Sequence, residues 1–178
     1  MTRFVGIDPS TKTGLVILDR DGNILDTMEI TAEGEDPGRM ANIIAETVEN
    51  LEQGDVVAIE GFAYGAKGNA VGIQYGIGYG IRIEMYNGGT NYIEVGPGQL
   101  KKFASGKGNT KKDELAVHIY KQWGFEHHSD NVRDAFVLAQ IARAVKLGTA
   151  TTKYQQEVVK AILEPPKTKQ KKSKVANA

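Results

Sequence analysis

Four carboxylates, Asp8, Glu60, Asp130 and Asp134, occupy positions from which they could act together. Asp8 and Glu60 each end an apolar, largely β-branched run, where a buried strand delivers its last side chain to the edge of a sheet. Asp130 and Asp134 open an apolar helical segment and share one face of it. Carboxylate oxygens suit Mg²⁺ and Mn²⁺, and two such ions can clamp both reacting oxygens of a phosphoryl transfer. The pattern therefore indicates an acidic metal site for phosphodiester cleavage.

The segments that carry these side chains predict an α/β fold. Apolar runs bounded by turn residues predict strands at residues 3–8, 14–19, 23–31, 56–60 and 91–95. Helical periodicity predicts helices at residues 37–53, 69–86, 98–104, 110–123, 130–147 and 152–163. The first three strands form an antiparallel meander, and the strand at 56–60 follows a crossover helix. We therefore expect a mixed five-stranded sheet, three antiparallel strands followed by parallel ones, with helices on both faces.

Two helices carry local signals of their own. Thr110 is expected to be the N-cap of the helix at 110–123, because its hydroxyl precedes Asp113 at the third helical position. The helix at 69–86 contains four glycines, each of which costs about 1 kcal/mol relative to alanine. Such glycines permit close approach of another helix, either in the same chain or in a second subunit.

The composition bounds the class of protein. The chain has 178 residues, the size of one domain, and contains no cysteine, which excludes disulfides, thiolate zinc sites and a cysteine nucleophile. We expect a domain over residues 1–147, a C-terminal helix within 148–164 and a disordered, Lys-rich tail at 165–178. No apolar run approaches the roughly 18 residues of a membrane span, and no signal-peptide pattern opens the chain. A cytoplasmic protein with no membrane partner is therefore expected.

The charge is balanced overall but unevenly distributed. The 22 basic and 22 acidic residues cancel, yet residues 101–112 and 165–178 each hold five Lys and no acid. A solvated loop and a disordered tail would account for such runs. An anionic substrate held near an acidic metal site would also need this counter-charge.

Read in order, several short segments resemble the RuvC family of Holliday-junction resolvases, which have an RNase H-like fold. The resemblance runs from about Arg3 to Arg143 and depends on the order and spacing of its parts. The matching parts are the G-I-D-P-S of residues 6–10 with T-G at 13–14, Glu60, Y-G-I-G-Y-G-I at 75–81, P-G-Q-L-K at 97–101, G-K-G-N-T-K-K at 106–112, and Asp134 with Ala135.

The resemblance implies a metal-dependent endodeoxyribonuclease. Such an enzyme cleaves Holliday junctions, and here other branched DNA, by paired nicks that leave 5′-phosphates. Two Mg²⁺ or Mn²⁺ ions would be held by Asp8, which bridges both, by Glu60, and by the Asp130 and Asp134 pair. Lys101 and Lys112 would lie beside the scissile phosphate. A two-fold homodimer is the economical architecture for two symmetric nicks, with the helix at 69–86 as its candidate interface.

The sequence departs from the family pattern at two positions. The third acid, or a His, usually lies three residues before the fourth, which here is Asn131; Asp130 is one residue further back. We expect Asp130 to be the ligand, with Asn131 as an accessory ligand or N-cap. The position of the family's aromatic wedge is Ala63, between Phe62 and Tyr64. A broader range of branched substrates, as in phage-type relatives, would follow.

Further residues are candidates for DNA binding. Contacts to the DNA backbone position a substrate without reading its sequence, and the C-terminal lysines would add salt-dependent affinity. The candidates are Ser10, Thr11, Lys12, Phe62, Tyr64, Lys101, Lys107, Asn109, Lys111 and Lys112. His118, His127 and His128 are interpreted as surface residues, although His128 lies close enough to Asp130 to assist.

Three other functions fit parts of the sequence. Residues 6–14 also resemble the phosphate-binding hairpin of actin-like and sugar-kinase ATPases, which need a second, similar domain that 178 residues do not provide. An RNase H-like nuclease acting on flaps or RNA shares the acidic site. A non-catalytic DNA-binding module would bind junctions but cut nothing in Mg²⁺ or Mn²⁺.

Overall fold

The structure is a computed structural model that describes residues 1–62 and 69–165. The described chain has five strands, β1 Phe4–Asp8, β2 Thr13–Leu18, β3 Ile24–Ile30, β4 Val56–Glu60 and β5 Tyr92–Val95. Its helices are α1 Gly38–Glu49, α2 Asn69–Asn87, α3 Pro97–Ser105, α4 Lys112–Trp123, α5 Asp130–Leu147 and α6 Lys153–Leu163. Among these helices, none is both long and apolar enough to cross a membrane.

The five strands form one mixed sheet in the order β3-β2-β1-β4-β5. β1 and β3 pair with β2 antiparallel, while β4 is parallel to β1 and β5 is parallel to β4. Helices α1 and α2 cover one face through a buried cluster that includes Ile43, Ile77 and Ile81. The other four helices contribute to a larger cluster on the opposite face, with α5 at its centre. The expected α/β fold is confirmed.

Two glycines let α5 lie directly on the sheet. A Cβ atom at Gly6 in β1 would overlap the carbonyl oxygen of Ala135, and one at Gly14 in β2 would overlap that of Asn131. Because real Cβ atoms do not approach backbone atoms so closely, α5 could not pack at this depth against larger residues. The glycines thereby set the distance between the sheet and the start of α5.

Three of the four glycines of α2 pack closely against other parts of the chain. A Cβ at Gly76 would overlap the Met40 side chain of α1, and one at Gly80 would overlap Ile44. Gly78 faces the ring of Phe62, and Gly72 has nothing within 4 Å of its Cβ position. Of the two explanations for these glycines, close approach of a helix from the same chain accounts for Gly76 and Gly80.

Thr110 is not the N-cap of α4, so this prediction is wrong. The helix begins at Lys112, and Lys111 occupies the N-cap position without a side-chain cap. The Thr110 hydroxyl instead donates to the Lys107 carbonyl oxygen at 3.0 Å and pairs with the Ser105 hydroxyl at 2.6 Å. Thr110 is therefore buried, and its hydroxyl holds together the loop that precedes α4.

Candidate active site

Asp8 and Glu60 lie side by side at the carboxyl ends of β1 and β4. The parallel register pairs Ile7 with Ile59, and one further step places Asp8 beside Glu60. Side chains alternate along a strand, so Asp8 shares a face with Gly6, which contacts α5. The two carboxyl groups lie within hydrogen-bonding reach of each other.

The start of α5 brings Asp134 to the same place. The Ser129 hydroxyl accepts a hydrogen bond from the Val132 amide and caps the helix, which makes Asp130 its first residue. Asp134 follows about one turn later, on the side that faces Asp8 and Glu60. Two adjacent strand ends and one helix, held together by glycine packing, therefore assemble three carboxylates.

Burial and mutual repulsion keep these three acids from ionising independently. Burial raises the pKa of Asp8 well above its usual range, and Glu60, Asp134 and Asp130 raise it further. The pKa of Asp134 is raised to about 7 by burial and then by Glu60 and Asp130. Burial also raises the pKa of Glu60, although its hydrogen bond with Asp8 and the charges of Lys101 and Lys112 oppose the shift. A cation placed among them would relieve this repulsion.

Asp130 is arranged differently from the other three acids. Its carboxylate forms an ion pair with the Lys112 ammonium, and this contact lowers the pKa of Asp130 and raises that of Lys112. The Lys112 side chain is 70% exposed and that of Asp130 is 37% exposed. Because an ion pair this exposed contributes little free energy, Asp130 or Lys112 can leave it for a stronger interaction at a small cost in stability.

Asn131 holds the turn between β1 and β2. Its amide nitrogen donates to the Lys12 carbonyl oxygen at 2.7 Å and to the Ser10 hydroxyl at 3.2 Å. It is not an N-cap, because Ser129 fills that position. The contacts instead tie α5 to the residues that follow Asp8.

The acids open into a cavity of about 200 Å³. Its walls combine acidic, basic and aromatic side chains from β1, β4, α2, α4, α5 and the start of α3. The lining residues are Asp8, Pro9, Glu60, Gly61, Phe62, Gln74, Tyr75, Pro97, Lys101, Lys112, Asn131 and Asp134. Lys101 and Lys112 thus line the same cavity as the acids, while Asp130 is outside the lining.

The donor set fits hard divalent cations. Within residues 1–62 and 69–165, no three His, Asp or Glu side chains stand together ready to hold a metal ion. Instead, Asp130 is paired with Lys112, and Asp8 is in contact with Glu60. Three converging carboxylates, with a fourth on the same helix face, nevertheless supply the oxygen ligands that Mg²⁺ and Mn²⁺ prefer.

Arg82 is a supporting residue that the sequence reasoning missed. It is 6% exposed, and its guanidinium donates to the Glu60 carbonyl oxygen and to the Gly78 carbonyl oxygen, both at 2.9 Å. It also pairs with Glu94 at 3.0 Å and lies 4.5 Å from the centre of the Phe62 ring. An arginine within the apolar pattern of α2 was the available signal, because a buried arginine requires several acceptors.

Phe62 is packed on α2 at the rim of the cavity. Its ring stacks on Tyr79 at 4.5 Å and meets Tyr75 edge-on at 4.9 Å. Half of the Tyr79 surface remains exposed. Tyr64, the other aromatic DNA-binding candidate, and the adjacent Ala63 lie outside the described residues.

The remaining DNA-binding candidates lie on two loops. Lys12 is exposed in the turn after β1, where its amide donates to the Ser10 hydroxyl at 3.0 Å. Lys107, Asn109 and Lys111 are exposed on the loop before α4, which Thr110 closes. The first of these loops directly follows Asp8, and the second directly precedes Lys112, which lines the acidic cavity.

The histidines at positions 127 and 128 stack on each other at 4.3 Å. The Nδ1 atom of His127 accepts a hydrogen bond from the Ser129 amide at 3.1 Å, so His127 has a structural partner at the start of α5. Burial and the neighbouring His128 lower the pKa of His127. His118 lies 3.8 Å from Glu114 on α4.

The comparisons with known proteins identify the fold. No protein-family model and no curated protein matches the chain. A structure of RuvC from Thermus thermophilus is 21% identical, with a TM-score of 0.65 over 84% of this chain and 98% of that one. A second, of T. thermophilus RuvC in complex with Holliday junction substrate, is 17% identical, with a TM-score of 0.62 over 85% and 99%. The chain therefore has the RNase H-like fold of RuvC.

Proposed function

We propose that this protein is a structure-selective endodeoxyribonuclease that resolves Holliday junctions and also cuts other branched DNA. The observation that carries the proposal is the convergence of Asp8, Glu60 and Asp134 at one cavity that Lys101 and Lys112 also line. The likeness of the fold to RuvC, whose structure with a Holliday junction substrate is known, supports the choice of substrate.

The acids would hold two Mg²⁺ or Mn²⁺ ions. The residues that would hold them are Asp8, Glu60, Asp134 and Asp130. When bound, the ions supply positive charge that activates water and stabilises the departing oxygen. The raised pKa values of Asp8 and Asp134 mean that these side chains release protons when they take up a cation.

The two lysines would neutralise the scissile phosphate. Lys112 pairs with Asp130. If Asp130 bound a cation, the Lys112 ammonium would be free to contact the DNA. Lys101, half-buried at the cavity wall, would approach the same phosphate from α3. Attack of water on the phosphorus in line with the departing 3′ oxygen, with no covalent intermediate, would leave a 5′-phosphate and a 3′-hydroxyl.

The loops would bind the DNA backbone around the cut. The loop of Ser10, Thr11 and Lys12 would contact the DNA backbone on one side of the cut. The loop of Lys107, Asn109 and Lys111 would contact it on the other side. Phe62 would meet unpaired bases at the junction centre, together with Tyr64. The Lys-rich segment at 165–178 would add affinity that falls as salt rises.

Synthetic DNA tests the function directly. Four-way junction, flap, fork, linear duplex and an RNA–DNA hybrid are incubated with the protein in Mg²⁺, Mn²⁺ or chelator, and both strands are mapped. We expect metal-dependent, paired nicks in the junction that are lost in Asp8→Asn. Asp21→Asn, an exposed turn residue, is the matched control and should cut normally. Binding without nicking in either metal would contradict the catalytic proposal, and preferential cutting of the hybrid would point to an RNA substrate.

A further inference from the structure

A second polar cavity lies at the opposite end of the sheet from the acids. It has a volume of about 470 Å³ and lies beside the turn between β2 and β3, where the Arg143 Nε atom donates to the Arg20 carbonyl oxygen at 2.8 Å. Its lining contains no acid and combines amide, hydroxyl, guanidinium and aromatic groups. The lining residues are Phe103, Gln122, Trp123, Gln140, Arg143, Thr149, Thr151 and Gln155.

Gln155 presents an unused donor to this cavity. The residue is 3% exposed, and its Oε1 atom accepts from the Thr151 and Thr152 amides at 3.1 and 3.2 Å, which fixes the side chain at the start of α6. Within the described part of the chain, the Nε2 atom of Gln155 has no hydrogen-bond acceptor. Every fully buried side-chain nitrogen or oxygen atom of these residues does have a partner, so Nε2 is not fully buried. The Nε2 atom is therefore open to the cavity that Gln155 lines.

Gln140 and Arg143, both on α5, also line this cavity and carry further donors. Gln140 is 5% exposed, and its Oε1 atom accepts from the Arg143 Nη1 atom at 3.4 Å. The Arg143 guanidinium is held in place by the Arg20 carbonyl oxygen and lies over Gly22, where a Cβ would be 2.9 Å from Nη1. The Gln140 Nε2 and Arg143 Nη2 atoms find no acceptor among the described residues, so the two residues keep donors for a ligand.

We propose that this cavity is a binding site for a phosphate group. The oxygen acceptors of Gln140 and Gln155 are already used, whereas nitrogen donors from three side chains and one positive charge remain, and this combination selects an oxyanion. Trp123 and Phe103 form an apolar wall suited to the sugar or base attached to such a phosphate. The phosphate could belong to a free nucleotide or to the backbone of DNA. The site does not depend on the cleavage function, because it shares no residue with the acidic cavity.

The single tryptophan of the chain reports on this cavity, because Trp123 lines it. Inorganic phosphate, a nucleoside 5′-monophosphate, a short duplex and citrate are titrated while tryptophan fluorescence is recorded. Gln155→Glu keeps the oxygen that accepts from Thr151 and Thr152 but replaces the donor with a charged oxygen. We expect this variant to weaken phosphate binding by about tenfold or more, which corresponds to about 1.4 kcal/mol. Gln156→Glu adds the same charge on an exposed neighbour and should bind normally.

Arg143→Gln provides a second variant should Gln155→Glu fold poorly, and it too should lose phosphate binding while nicking at saturating junction DNA stays unchanged. Binding of the mononucleotide would identify a free nucleotide as the source, and binding of the duplex alone, weakened by Gln155→Glu, would identify the DNA backbone. The proposal is overturned if inorganic phosphate and both phosphate-bearing ligands leave the fluorescence unchanged. It is overturned equally if citrate binds as tightly as phosphate, or if both variants bind like the wild type.

Discussion

At the scale of single residues, the acidic cavity is expected to destabilise the metal-free fold. Asp8, Glu60 and Asp134 are held close together by strand ends and a helix, and burial raises the pKa of each. Folding therefore either binds protons or concentrates negative charge. Functional sites commonly trade stability for ligand binding in this way. The effect of these acids can therefore be measured as a change in the free energy of unfolding, without a nuclease assay.

Asp134→Asn is expected to stabilise the metal-free protein at pH 8. In the folded protein the pKa of Asp134 is raised to about 7. The stability that protonated Asp134 contributes to the wild type is therefore fully present below the pKa of the unfolded chain and is lost as pH rises through 7. The neutral amide avoids this loss, so we expect a gain of about 1–3 kcal/mol in the free energy of unfolding. Urea unfolding measures it, and the gain should vanish near pH 4.

Mg²⁺ should reverse this difference. A cation that binds only the folded protein stabilises the wild type in proportion to its occupancy, whereas the Asn variant lacks one ligand. Asp21→Asn serves as the control for a lost surface carboxylate. A variant that is less stable than the wild type at pH 8 without metal would contradict the proposed repulsion.

Asp130 and Asn131 can be separated by substitution. Asp130→Asn is expected to lower junction nicking by about 100-fold while binding is retained, because a neutral amide is a poor ligand for a dication. Asn131→Ala should lower nicking by less than about tenfold, since its amide donates to Ser10 and Lys12 and serves the turn. Gel assays of binding and single-turnover nicking give both values. If Asp130→Asn cuts normally and Asn131→Ala does not, Asn131 is the ligand.

At the scale of elements, strand periodicity was enough to predict where the first two acids lie. Alternation along β1 and β4 fixes the face that Asp8 and Glu60 share, and the spacing in α5 fixes that of Asp130 and Asp134. These features are local, so the sequence shows them. The family resemblance implied the fold that these elements form together.

Other features of the site could not be predicted from sequence because they depend on contacts across the chain. The depth at which α5 packs depends on Gly6 and Gly14 facing its backbone, which no periodicity reveals. Thr110 has the residue type of an N-cap, but the loop offers its hydroxyl better partners in Ser105 and Lys107. The pairing of Asp130 with Lys112 likewise joins two helices.

Arg82→Lys tests how α2 supports the site. Lysine keeps the charge but cannot bond Glu60, Gly78 and Glu94 at once or stack flat on Phe62. We expect a loss of about 1–3 kcal/mol in the free energy of unfolding and a higher Mg²⁺ concentration for half-maximal nicking. Arg39→Lys, in an exposed pair with Asp36, is the matched control. Loss of stability with an unchanged Mg²⁺ requirement would show that Arg82 does not position Glu60.

At the scale of the whole molecule, the proposed paired nicking requires two active sites. A groove of about 530 Å³ between α1 and α2 is lined mainly by apolar groups, among them Ala41, Ile44 and Val48. Ile83 at its edge is 55% exposed, and Tyr86 near the end of α2 is 82% exposed. We propose this surface as the interface of a two-fold homodimer, since a second copy would bury the apolar groups of both chains.

Ile83→Glu is expected to convert a dimer to a monomer, because it would bury an unpaired charge in the interface. Sedimentation measures the assembly, and a nicked-circle assay on a cruciform plasmid measures coupling. The monomer should bind junctions more weakly and accumulate singly nicked product instead of resolved linear product. Val117→Glu introduces the same charge at a 51% exposed apolar residue on α4 and should remain dimeric. A wild-type protein that is monomeric on junction DNA and still makes paired nicks would contradict the proposed interface.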